Sequence, residues 1–243
     1  MSNNRKIALV TGATRGIGLE TVRQLAAAGV HTLLAGRDLG KAEQAAKSFQ
    51  AQGLPVEAIA LDVSDAASVA AAAKQVEASH GHLDILINNA GIFKDDFDKS
   101  PSQQSLDVWR ETFDTNLFGM VAVTQALLPL LRKAPAARIV NLSSSLASLA
   151  IHSDPGSELY DFKVPAYNVS KTAVNAWTVQ LAYELRDTAI KVNAADPGSV
   201  KTDMNSHGQL ELADGASTSV ALALLDEAGP NGTFQHRGEV LPW

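Results

Sequence analysis

The sequence predicts an α/β fold in which one doubly wound parallel sheet carries helices on both faces. Three observations predict it. Short apolar runs alternate with longer helical stretches along all 243 residues. Those runs are apolar at consecutive positions rather than at every second one, as strands buried on both faces are. The first run is followed by a glycine-rich turn, TGATRGIG at 11–18, that leads straight into a helical pattern.

Strands are expected at 6–11 (KIALVT), 31–36 (HTLLAG), 56–62 (VEAIALD), 84–90 (DILINNA), 138–144 (RIVNLSS) and 191–197 (KVNAADP). Helices are expected at 17–28, 40–52, 65–79, 105–133 and 166–187, and this alternation implies parallel strands joined by helical crossovers. No shift in composition and no repeat divides the chain, so residues 1–243 read as a single domain. The alanine-rich stretch at 65–79 begins with an acid and reads as a solvent-side helix. His80 and His82 flank Gly81 just after it and read as a polar loop. Asp95, Asp96 and Asp98 read as a solvated loop. No metal site is expected.

Bulk composition narrows the partners. With 46% apolar residues the chain has enough material for a substantial core. A net charge of −6 and the absence of a basic block exclude phosphate-stripe binding to nucleic acid. The charge also argues against an anionic membrane surface. With no cysteine there is neither a disulfide nor a thiolate metal site. The first residues lack the long apolar core of a signal peptide. The run at 121–131 is by itself too short to span a bilayer. A cytoplasmic protein without membrane or nucleic-acid partners is expected.

The turn at 11–18 has the context a phosphate-binding turn needs. Gly12 allows a tight exit from the strand, Gly16 lets backbone approach a ligand, and Gly18 lets the helix pack close to the sheet. Free N–H groups at the helix start, with the helix dipole behind them, would face the pyrophosphate of a dinucleotide. Thr14 and Ile17 belong to the same turn. These features make the fold Rossmann-type. In sheets that bind NAD, an acid at the end of the second strand takes the ribose 2′-hydroxyl. Here that strand ends in Ala35 and Gly36, and Arg37 follows. With Arg15 in the turn, two guanidinium groups are available to clamp a 2′-phosphate. NADPH/NADP+ is therefore the expected cofactor, although Asp38 stands beside Arg37.

The chain resembles the short-chain dehydrogenases/reductases over nearly its whole length, and within them the carbonyl reductases. The resemblance rests on TGATRGIG (11–18), LDV (61–63), NNAG (88–91), TN (115–116), NLSSS (141–145), YNVSK (167–171) and PGSVKTDM (197–204), and on the tail GPNGTFQHRGEVLPW (229–243). It implies that Asp62 and Val63 flank the adenine and that Asn89, Ala90 and Gly91 line the inner ribose. It implies that Pro197, Gly198, Val200 and Thr202 hold the nicotinamide. It also implies a catalytic group of Asn116, Ser144, Tyr167 and Lys171, with Lys171 gripping the nicotinamide ribose and Asn116 holding a water that links Lys171 to solvent.

Tyr167 and Lys171 are four apart, on one face of a helix. A nearby ammonium, and a positive nicotinamide in the oxidative direction, favour the phenolate. Moving a phenol from about 10 to near 7 requires about 4 kcal/mol, more than a partly screened lysine supplies. In reduction Tyr167 donates a proton to the carbonyl oxygen as general acid, and Ser144 hydrogen-bonds the same oxygen. Ser143 and Ser145 stay open as alternatives, since strand alternation sends neighbours to opposite sides.

Between Ser144 and Tyr167 runs a long connection, 146–166. By resemblance it covers the helix face used for tetramers in relatives, so a monomer is expected. Leu159, Tyr160 and Phe162 are candidates either for a substrate wall or for a local plug. The segment 199–214 is expected as a short, polar lid over an open site for varied carbonyl substrates. The competing readings are an NAD(H)-linked alcohol dehydrogenase, a non-catalytic dinucleotide sensor, and an epimerase or dehydratase. The last needs more chain after residue 204 than is present.

Overall fold

The computed structural model describes residues 5–243, and the reading as an α/β fold holds. Eight strands form one sheet in the order β3-β2-β1-β4-β5-β6-β7-β8. Strands β1 (Ile7–Val10), β2 (His31–Gly36), β3 (Val56–Ala60), β4 (Ile85–Asn88), β5 (Arg138–Leu142) and β6 (Lys191–Ala195) match the six expected runs, cut back by up to two residues at their ends. Their pairings are all parallel. Strand β7 (Phe234–His236) adds a further parallel pair, and β8 (Glu239–Val240) returns antiparallel to it. These last two were not expected, because three and two residues are too short to show periodicity.

Each face of the sheet carries its own core. Helices α1 (Gly16–Ala27), α2 (Leu39–Gln50) and α8 (Leu212–Ala223) cover one face, where Val22, Leu25, Phe49 and Leu222 meet Val10, Leu34 and Ile87. Helices α3 (Ala66–His80), α5 (Met120–Leu131) and α7 (Pro165–Glu184) cover the other, where Val76, Leu127 and Leu181 meet Leu9, Leu33 and Ile139. Burying both faces explains why the strands read as continuous apolar runs. Helix α8 is a correction. Its first turn lies inside the stretch read as lid, so the lid ends near residue 211.

The stretch expected as one helix at 105–133 is three pieces. Helix α4 (Leu106–Phe113) passes through a π-helical turn (Asp114–Gly119) into α5. The continuous stretch Leu106–Leu131, with an 18-residue window of mean hydropathy 1.2, is long and apolar enough to cross a membrane by length and composition. Here Val123, Leu127, Leu130 and Leu131 lie in the core against the sheet. Helix α6 (Leu149–Ser153) falls within the connection 146–166.

The strand order reverses between β1 and β4, since each sends its chain to an opposite side of the sheet. At that point a crevice opens beyond the carboxyl ends of the strands, where open α/β sheets bind ligands.

Candidate active site

The glycine turn forms one wall of this crevice. Gly16 takes φ of +57°, and a Cβ built there would meet nothing nearer than the Thr202 methyl at 4.0 Å. The backbone is thus bare on the side facing the crevice. Gly18 is crowded instead. A Cβ there would lie 2.4 Å from Asn89 Nδ2 and 2.7 Å from the Gly12 carbonyl oxygen. Arg15, at the N-cap of α1, provides no side-chain cap, so the first N–H groups of the helix stay available to an anion.

Asn89 braces the turn. Its amide donates to the carbonyls of Thr11 (2.8 Å) and Gly12 (3.1 Å), while Thr11 Oγ1 accepts from the N–H groups of Asn89 and Ala90. Its side-chain N–H groups therefore hold protein to protein.

At the end of β2 a Cβ on Gly36 would come within 2.4 Å of the Thr14 methyl, so any side chain there would make Thr14 turn aside. Asp38 turns away to cap α2, accepting from the Lys41 N–H at 3.1 Å. The Asp62 carboxyl lies below the usual carboxylate range because it accepts from the Ser64 hydroxyl and N–H, with Arg37 nearby adding to the effect. Arg37 and Arg15 are both exposed. Arg15 is paired with Asp203 at 2.9 Å, so its guanidinium has an acidic partner in the segment after β6.

That segment folds back over the turn. Val200 is 3% exposed and packs against Gly215 of α8, which buries its side chain away from the crevice. Thr202 faces Gly16, Gly198 lies against His236 and Leu210, and Pro197 precedes it at the end of β6.

The structure brings Ser144, Tyr167 and Lys171 together and separates the three serines. Ser143 is buried and donates to Asn175 Oδ1 at 2.6 Å. Ser145 offers its N–H to Asp196 Oδ1 at 2.9 Å. Ser144 is the one whose hydroxyl bonds the Tyr167 phenol, an interaction that favours the ionised form. Lys171 is 3% exposed, and its ammonium donates to the Leu142 carbonyl at 2.7 Å, 5.8 Å from the centre of the Tyr167 ring.

The electrostatics correct one expectation. Lysine does not bring the phenol down in the protein alone. Burial first, then the charge of Asp196, pushes the Tyr167 phenol up to about 12, against the smaller opposing effect of Ser144. Burial pushes the Lys171 ammonium down to about 8. Asp196 is itself buried and pairs with His236 Nδ1 at 3.1 Å, which raises the imidazole pKa.

Asn116 sits in the π-helical turn and is 1% exposed. Its amide donates to the Ile92 carbonyl and to Ser170 Oγ, both at 3.0 Å, and accepts from the Ile92 N–H at 2.8 Å. Both amide hydrogens are thus used on protein groups, which leaves only carbonyl oxygens of Asn116 to hold a water. Asn116 ties the 91–92 backbone to α7. A Cβ at Gly91 would lie 3.4 Å from Asn116 Oδ1 and 3.5 Å from Lys171 Nζ.

Asp95 was read as part of a solvated loop, but it is 6% exposed. Its carboxylate accepts from the N–H groups of Ala166 (2.8 Å) and Tyr167 (2.9 Å), capping α7 at the residue that bears the phenol. Val164 at the N-cap has no capping side chain, and Pro165 has no N–H. A helix that starts on such residues needs a cap from elsewhere, and that was the signal in the sequence. Beside the phenol runs a row of aromatics. Phe93 lies 5.3 Å from the Tyr167 ring, Phe97 lies 5.4 Å from Phe93, and Phe162 lies 6.1 Å from Phe97. Of the three candidate wall residues in the connection, Phe162 joins this row. Tyr160 lies under the Lys163 ammonium instead.

The model of the family described as short chain dehydrogenase matches residues 6–211. The chain belongs to that family. Among curated relatives of this short-chain dehydrogenase is Short-chain dehydrogenase/reductase 1 of Saponaria officinalis, 33% identical with 98% of this chain and 96% of the relative covered. Carbonyl reductase [NADPH] 1 of Rattus norvegicus is 32% identical with both chains covered in full. A solved NADPH-bound carbonyl reductase from chicken fatty liver superposes with a TM-score of 0.85 at 29% identity, covering 98% of this chain and 99% of that one. The chain is thus an oxidoreductase of the carbonyl reductase-like branch of this family.

Proposed function

We propose that the protein is an NADPH-dependent carbonyl reductase that turns a ketone, aldehyde or quinone into an alcohol. The observation that carries this reading is the convergence of Ser144 and Tyr167 beside a buried Lys171, at the carboxyl ends of the strands. The crevice suits a dinucleotide phosphate. Gly16 leaves bare backbone, α1 starts with uncapped N–H groups, β2 ends in Gly36 rather than an acid, and Arg37 stands next to that position.

When bound, NADPH supplies the hydride. The chain's own residues do the rest. Ser144 donates a hydrogen bond to the carbonyl oxygen and positions it. As negative charge grows on that oxygen, Tyr167 gives it the phenolic proton. A phenol pushed up to about 12 is fully protonated at neutral pH, the form a proton donor needs. Lys171 would hold the coenzyme ribose with its ammonium. Asp95 fixes the first turn of α7 so that the phenol stays on the reacting oxygen. The aromatic row offers an apolar surface to the rest of the substrate.

The test is a panel of aldehydes, ketones and quinones, with loss of NADPH absorbance followed for the native protein and Tyr167→Phe. Turnover is expected to fall by about 10²–10⁴-fold while NADPH still binds. Undiminished turnover in the variant would overturn the proton-donor role. For coenzyme choice, Arg37→Ala is expected to lower kcat/KM for NADPH by about 10–100-fold, the loss of one charge-assisted bond, and to leave NADH unchanged.

This reading also holds the protein to be a monomer. The connection 146–166 packs on the start of α7, where Thr172 Oγ1 donates to the Ala147 carbonyl at 2.8 Å and Asn168 Nδ2 to the Phe162 carbonyl at 3.4 Å. A tetramer in sedimentation at low concentration would contradict it.

A further inference from the structure

In the sequence His80 and His82 flank Gly81 and read as a polar loop. The fold gives His80 company. His31 Nε2 lies 3.3 Å from Glu57 Oε2, and His80 Nε2 lies 3.5 Å from the same oxygen. The three ligand atoms all fall within 4.8 Å of one another, and the two imidazole rings are tilted against each other with centroids 5.3 Å apart. From this convergence we propose that His31, Glu57 and His80 form a binding site for a borderline divalent transition metal, Zn²⁺ above all.

The geometry fits the ion. Zinc bonds of about 2.0–2.2 Å to nitrogen and oxygen in a tetrahedron put neighbouring ligand atoms about 3.3–3.5 Å apart. Both histidine-to-glutamate distances already have that value. The donor set fits too. Two imidazoles and one carboxylate suit zinc, nickel, cobalt or copper, while magnesium and calcium want oxygen ligands alone. Three protein ligands leave a fourth position for water. A divalent cation engages all three ligands at once.

The ligands stand on regular elements. His31 opens β2 and donates its N–H to the Lys6 carbonyl at 2.9 Å. Glu57 lies in β3, beside Leu33 of β2. His80 ends α3, where Gly81 takes φ of +75° and closes the helix. His82 is committed elsewhere, to Asp84 at 3.2 Å. The site therefore joins two strands at the edge of the sheet to the helix that crosses over them. It lies toward the amino ends of β2 and β3, opposite the end that carries Tyr167, and the inference does not depend on the reductase reading.

The test uses the untagged full-length protein, stripped with a chelator and titrated with Zn²⁺ by calorimetry, and with Co²⁺ by visible absorption. One equivalent of Zn²⁺ is expected to bind and to raise Tm, and Co²⁺ added to the stripped protein is expected to give tetrahedral ligand-field bands that Zn²⁺ then displaces. His80→Gln and Glu57→Gln are each expected to weaken binding by more than the ~10–100-fold that an outer-shell change costs. His207→Gln, at an exposed lone histidine, is expected to leave binding unchanged. Absence of a Zn²⁺ heat and of Co²⁺ bands in the native protein would overturn the proposal, and this outcome does not depend on any variant folding. So would binding that survives both His80→Gln and Glu57→Gln.

Discussion

The two sides of the crevice are built in different ways. The coenzyme side, the turn at 11–18 with the ends of β1, β2 and β4, is made of backbone and small residues at van der Waals limits. Gly18 and Gly36 each sit where a Cβ would come within 2.4 Å of a neighbour. The substrate side is made of side chains on loops, and Phe97 and Phe162 are 69% and 42% exposed. Crowding leaves the first side almost no substitutions. Exposure leaves the second free to change without loss of the fold. Folds that host many functions place the variable part on exposed loops over a rigid scaffold, as here.

Substitutions can break or sharpen that contrast. The largest effect is expected on the crowded side. Gly18→Ala forces backbone apart at the turn and should cost about 1–3 kcal/mol of stability, an overpacking loss, together with coenzyme affinity; denaturant unfolding and NADPH titration would check it. A fully stable Gly18→Ala protein would show that the crowding is not limiting.

Next comes the junction of the two sides. Asp95→Ala removes the cap of α7 and should cost about 1–2 kcal/mol, with a fall in kcat larger than any change in KM for NADPH. Asp95→Asn, which keeps one acceptor, should recover part of both.

A third measurement reads the charge on Lys171. Its pKa is pushed down to about 8, so the ammonium is intact below that pH and lost as pH rises through it. The kcat/KM for NADPH, which reports groups of the free enzyme, should be flat below pH 8 and fall above it. A profile flat past pH 9 would remove lysine from coenzyme binding.

The smallest effect belongs to the open side. Phe97→Ala should leave stability within about 0.5 kcal/mol and raise KM for aromatic carbonyls by about 2–10-fold, the size of one aromatic contact.

The same asymmetry decided what could be read from the sequence. Glycine spacing, the helical pair Tyr167 and Lys171, and the apolar strand runs are local signals, so the sheet and the coenzyme side were legible. Asp95 was not, because the N–H groups it caps lie 71 and 72 positions along the chain. The aromatic row draws Phe93 and Phe97 from one loop and Phe162 from another, and no periodicity joins them. Helix α8 was missed because its small residues resemble a polar linker until Val200 is seen packed on Gly215. His31 and His80 meet only once the order of β2 and β3 and the crossing of α3 are known. The serine choice at 143–145 was narrowed by resemblance, and geometry separates the three by sending each to a different partner.

The wide turn at Asp114–Gly119 has a consequence for how this helix can be edited. A π-helical turn is an α-helix holding one surplus residue. Removing a residue there would let the spiral run uniformly from Leu106 to Leu131 with little rotation between the flanking helices, because the wide turn has absorbed the surplus residue. Asn116 would then swing off the rib that joins Ile92 to Ser170. The change would be local to the turn yet would reach the site through Asn116, so a deletion that looks harmless by hydropathy would disturb the side of α7 that carries Tyr167 and Lys171.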